Sequence, residues 1–70
     1  MSGPAIGTEN TIVVNGMTVH YKVGVYMTIV TLFGNPFTLN KPRADAVVGY
    51  MIDEGFLPKR RIKVRWADLR

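Results

Sequence analysis

Residues 40–66 read NKPRADAVVGYMIDEGFLPKRRIKVRW, and the fold turns on how this stretch is divided. Ala44, Val47, Val48, Met51 and Ile52 recur at i, i+3, i+4, i+7 and i+8, one stripe of a 3.6-residue period. The spacing predicts a helix over Pro42–Glu54. Pro42 suits the first helical position, where its missing N–H has no partner to lose. It also pushes Lys41 towards extended geometry, which leaves Lys41 or Asn40 as the cap. Gly55 fits the left-handed position just past the end, Phe56 can fold back on Met51, and Pro58 prevents the helix from resuming. Gly49 weakens the middle by about 1 kcal/mol relative to alanine, so this helix needs a surface to pack on.

Past the stop, Ile62, Val64 and Trp66 alternate with Arg61, Lys63 and Arg65. That period of two predicts a half-buried strand, Arg61–Trp66, with a cationic outer face. Trp66 shares the face of Ile62 and Val64, which favours the core; the alternative is an exposed ring that stacks on a base. The charges on the helix run against its dipole. Lys41 and Arg43 stand at the positive end, Asp53 and Glu54 at the negative end, each misplacement worth about 0.3–1 kcal/mol when exposed. Lys59, Arg60 or Arg61 can neutralise the acids; Lys41 and Arg43 either sit in solvent or face an anionic partner.

Upstream, residues 11–23 (TIVVNGMTVHYKV) contain Asn15-Gly16, the strongest short-range hairpin signal. With those two as the loop, Val14 faces Met17, Ile12 faces Val19 and Asn10 faces Tyr21. The other face then pairs Val13 with Thr18, Thr11 with His20, and Glu9 with Lys22, the last an expected cross-strand ion pair. Val25–Phe33 is β-branched and aromatic, a third strand. Gly24 is either a bulge in one long bent strand or the start of a two-residue Gly24-Val25 loop. The loop is preferred, because a strand from Met17 to Phe33 would far exceed the usual ~5–6 residues. It would set Val23 against Tyr26, Val19 against Val30 and Met17 against Leu32. Val13, Met27, Ile29 and Phe33 would then form an apolar second face. Gly34-Asn35-Pro36 reads as a turn, and Phe37 or Leu39 can close the edge of the core.

The expected fold is therefore α+β: a small antiparallel sheet in the order β-β-β-α-β with one helix on one face. Seventy residues make a single domain, residues 9–70, behind a flexible arm at 1–8. There is no cysteine to staple it, so the apolar 47% must supply the core. No signal-peptide pattern and no membrane-length apolar run is present, which points to a soluble cytoplasmic protein with no membrane partner.

The chemistry of an enzyme is hard to assemble from one histidine, no cysteine and the single serine Ser2. His20 reads as a surface histidine, and no metal-ligand or phosphate-loop spacing occurs. We expect neither catalysis nor a cofactor. Charge is more informative: residues 1–40 balance Lys22 against Glu9, so the whole net charge of +4 lies from Lys41 onward. Lys59, Arg60, Arg61, Lys63 and Arg65 put five cations within seven residues. With Lys41 and Arg43 nearby, they are the candidate binding residues for a nucleic-acid backbone, probed by its salt dependence. The alternative is a small interaction or inhibitor protein that docks the same cations and the apolar sheet face on an acidic protein groove. A homodimer through that apolar face is the third partner to consider.

The segment MIDEGFLPKRRIKVRWADL also resembles the C-terminal part of excisionase-type and MerR-type winged-helix DNA-binding domains. Val48, Ile52, Gly55, Leu57, Pro58, Arg61, Arg65, Trp66, Asp68 and Leu69 carry the resemblance. It implies DNA binding with residues 42–54 as a recognition helix. The chain departs from that pattern in two places: Asp68-Leu69 follow Arg65-Trp66 without a further strand, and strand patterns stand where the family has its first DNA-binding helix.

Overall fold

The structure, a computed structural model, describes residues 4–34 and 40–67, the first two helical residues by backbone alone. The elements follow the expected order: β1 (Glu9–Val14), β2 (Met17–Val23), β3 (Thr28–Phe33), α1 (Asn40–Asp53) and β4 (Ile62–Ala67). They form one four-stranded sheet in the spatial order β1-β2-β3-β4. β1 and β2, and β2 and β3, are antiparallel, but β4 lies parallel to β3. The sheet is thus mixed, not purely antiparallel. The reason is geometric. A 14-residue helix spans about 21 Å, roughly the length of a six-residue strand, so α1 carries the chain back to where β3 began. The next strand can only run alongside β3 in the same direction, the crossover that parallel strands require.

The first hairpin has the expected register throughout, from Glu9 opposite Lys22 to Val14 opposite Met17. Asn15 (φ 52°) and Gly16 (φ 79°) supply the two positive φ angles of a type I′ turn. The second hairpin differs. Val23 faces Thr28, Tyr21 faces Val30 and Val19 faces Leu32, so the loop is the four residues 24–27. Gly24 explains the choice: its N–H donates to the Met27 carbonyl at 3.0 Å, and a Cβ there would lie 2.6 Å from that oxygen. Relative to the expected pairing each partner moves by two residues, which keeps every side chain on its face. Tyr26 and Met27 are lost from the strand.

The core lies between α1 and one sheet face. Val19, Val30, Leu32, Val47 and Met51 have no exposure, with Val14, Met17, Tyr21, Val23, Ala44 and Leu57 around them. Val48 and Ile52 lie at the margin of the stripe and are half-buried. The helix ends in a Schellman arrangement: Phe56 N–H to the Met51 carbonyl (2.8 Å), Gly55 N–H to that of Ile52 (3.1 Å), with Gly55 at φ 86°. Phe56 joins the core, its ring centroid 6.3 Å from that of Tyr21.

Gly7 N–H donates to the Val23 carbonyl, and Val23 N–H to that of Thr8, at 2.7 and 2.8 Å. Asn35, Pro36, Phe37, Leu39, Asp68 and Leu69 lie outside the described residues. Among the described residues, no helix is long and apolar enough to cross a membrane.

Candidate nucleic-acid interface

Among the described residues the sheet carries a helix on one face only, and its other face is open. Register fixes what stands there. One row across the four strands is Glu9, Lys22, Ile29 and Lys63. The next is Thr11, His20, Thr31 and Arg65, and the third is Val13, Thr18, Phe33 and Ala67. Adjacent strands are about 4.8 Å apart, so Lys22 and Lys63 flank Ile29 at roughly 10 Å from each other. Lys63 and Arg65, two residues apart on β4, continue the positive charge along the strand. Both are exposed, as is Lys22.

Glu9 is the acid on this face, and its carboxylate is engaged by His20, with Nε2 and Oε2 2.9 Å apart. An ionised carboxylate only accepts, so Nε2 carries the hydrogen and donates. The expected ion pair with Lys22 gives way to this diagonal contact, and among the described residues Lys22 has no carboxylate partner.

The candidate cations divide into three groups. Lys63 and Arg65 share the open face. Arg61 stands one residue before β4 at φ 56°, outside the strand, so the strict alternation from Arg61 does not survive. Its carbonyl accepts from Thr28 N–H at 2.8 Å. Arg60 and Arg61 line a groove at this end of the sheet with the β2–β3 loop, and Lys59 is exposed beside them.

Arg43 lies at the opposite end. Its Nη2 donates to the Asn15 carbonyl at 2.6 Å, tying the start of α1 to the first hairpin turn. That contact accounts for a cation at the positive end of the helix. The side chain of Lys41 lies outside the described residues. Trp66 is half-buried on the helix side of β4, beside Ala44, Asp45, Val48 and Val64, and is not on the cationic face.

The apolar second face is not the continuous patch its residues suggest. Thr18 separates Val13 from Phe33 within their row, and Met27 belongs to the loop. α1 bears exposed Asp45 and Asp53 against Arg43, and Glu54, also exposed, follows its last residue. It is an unfavourable surface for a recognition helix on DNA. By sequence α1 balances Lys41 and Arg43 against Asp45 and Asp53, whereas the open sheet face carries an excess of cations among the described residues. Lys22, His20 and Tyr26 were not among the candidate site residues. The first hairpin register already puts Lys22 and His20 on one face, but only the parallel β3–β4 pairing brings β4's cations there.

Among the described residues no three histidine, aspartate or glutamate side chains gather so as to hold a metal ion. No protein-family model matches the chain, and no curated protein or solved structure is similar to it.

Proposed function

We propose that this is a non-enzymatic nucleic-acid-binding protein whose interface is the open face of the sheet. The supporting observation is the segregation of charge. Among the described residues, Lys22, Lys63 and Arg65 stand on that face with one acid, Glu9, itself held by His20, while Asp45, Asp53 and Glu54 lie away from it, with Arg43 among them. The cation excess of the face favours its approach to a polyanion. Each phosphate neutralised releases a counterion, so log affinity falls with log salt by about 0.7 per contact on single strands and 0.9 on duplexes. Thr11, Thr18 and Thr31 add neutral hydroxyls that can reach phosphate or sugar oxygens.

A second reading is an interaction or inhibitor protein that meets an acidic protein surface with the same cations. The edge position of β4 favours it, since that strand offers unpaired backbone groups to a partner strand. Gel shifts with single-stranded and duplex DNA and RNA, at low and moderate salt, separate the two. A salt-sensitive shift is expected. Absence of any shift at every salt concentration removes the nucleic-acid reading.

A further inference from the structure

Building on that reading, we infer that the ligand is single-stranded and that the β2–β3 loop holds one of its bases on Tyr26. The width of the sheet comes first. β1 and β4 are three strand spacings apart, about 14 Å of backbone before side chains are added. The major groove of B-DNA is about 12 Å wide and admits a helix or a two-stranded ribbon. Four strands laid flat do not enter it, whereas a single strand can lie along the rows of the open face.

The second observation is where the apolar surface goes. Of the seven exposed large hydrophobic residues among those described, four are together at one end: Ile6, Val25, Tyr26 and Met27. Tyr26 is 79% exposed and Val25 69%. The tight Gly24–Met27 closure makes the pair the tip of the loop. Arg60 and Arg61 line the same groove, which opens at the end of the sheet where the Lys22–Ile29–Lys63 row lies. An aromatic ring and aliphatic walls beside two guanidinium groups match a flat base attached to a phosphate. Lys63 and Arg65 stand on the open face, and Arg61 lies one residue before β4, in the groove at the same end of the sheet as Lys63. A strand that follows the face towards Lys63 therefore comes to the tip.

The test is fluorescence anisotropy with a short labelled oligothymidylate, an abasic strand of the same length, a duplex, and phosphatidylserine vesicles. Tyr26→Ala should weaken oligothymidylate binding about 5- to 150-fold, the range of one lost base stack. Binding to the abasic strand and the salt slope should not change, and Tyr26→Phe should retain the affinity. Tyr26 is exposed, so the substitution leaves the core intact. Unchanged oligothymidylate binding by Tyr26→Ala overturns the base site while the proposed interface stands. Equal or tighter binding of the duplex by the unsubstituted protein overturns the single-strand assignment. Vesicle binding without oligonucleotide binding overturns both this inference and the nucleic-acid reading.

Discussion

The two faces of the sheet are built from the same strands and have opposite tasks. On one, Val19, Val30 and Leu32 are sealed under α1 with no exposure. On the other, their immediate neighbours Thr18, His20, Thr31 and Phe33 are only half-covered, by one another and by the adjoining rows. A strand alternates sides at every residue, so stability and ligand chemistry can be written into one sequence without competing for a position. The helix side is a continuous, largely apolar core that includes Tyr21 and Phe56 beside its aliphatic residues. The open side breaks its apolar residues with threonine and charge, which lets an uncovered sheet face stay in water.

The comparison is most exposed to a paired substitution on β3. Leu32→Ala should cost about 2–5 kcal/mol, because a large side chain leaves a cavity that the helix cannot collapse into. Thr31→Ala, one residue away on the open face, should change stability by no more than about 0.5 kcal/mol. Urea denaturation measures both. If Phe33→Ala costs as much as Leu32→Ala, with a midpoint that rises with protein concentration, a second copy covers the open face and the contrast fails.

A smaller effect separates two cations that look alike in sequence. Arg43→Ala removes the hydrogen bond to the Asn15 carbonyl and should lower stability by about 0.5–1.5 kcal/mol, with nucleic-acid affinity little changed. The double substitution Lys63→Glu/Arg65→Glu should do the opposite. Exposed charges contribute little to folding, so the denaturation midpoint stays. Binding should be lost at moderate salt, and any residual binding should have a slope shallower by about 1.4–1.8. A loss of affinity in Arg43→Ala equal to that of the double variant would mean that charge position is irrelevant.

Periodicity made the elements legible, and the faces with them. The Asn15-Gly16 turn carried its register, the helical stripe its buried side, and Gly55 its stop. Three things were not local enough to read. The direction of β4 depends on matching the length of α1 to β3, a property of two elements and the chain between them. The second hairpin depends on whether Gly24 begins a two-residue or a four-residue loop. Both loops keep the face pattern, so hydrophobic alternation cannot distinguish them, and Tyr26 was placed on the apolar face instead of at the tip. The role of Arg43 depends on a carbonyl 28 residues earlier in the chain. For the site, the run from Lys59 to Arg65 drew attention to cations that the fold divides between the open face (Lys63 and Arg65) and the loop groove (Arg60 and Arg61). It reads as one ridge only because a linear pattern does not reveal that Arg61 has a left-handed backbone.

That backbone offers the finest test. A side chain at φ 56° is held where its Cβ crowds the carbonyl, which typically costs on the order of 1–2 kcal/mol. Glycine removes the strain but gives back roughly 0.5–1 kcal/mol through the freedom it adds to the unfolded chain. Arg61→Gly should therefore leave stability unchanged or raise it by up to about 1.5 kcal/mol. The Thr28 N–H to Arg61 carbonyl bond is backbone to backbone and survives the change. Arg61→Ala keeps the strain and should gain nothing. Both variants lose the same guanidinium, so both should reduce oligothymidylate affinity equally and flatten its salt slope by about 0.7, one phosphate on a single strand. Denaturation beside anisotropy at several salt concentrations reads the two quantities apart. Stability gained by glycine alone, with binding lost by both, would mean that this position holds a strained backbone for the sake of its charge. Loss of stability in Arg61→Gly, or undiminished binding in either variant, would place Arg61 on the structural side of the molecule with Arg43.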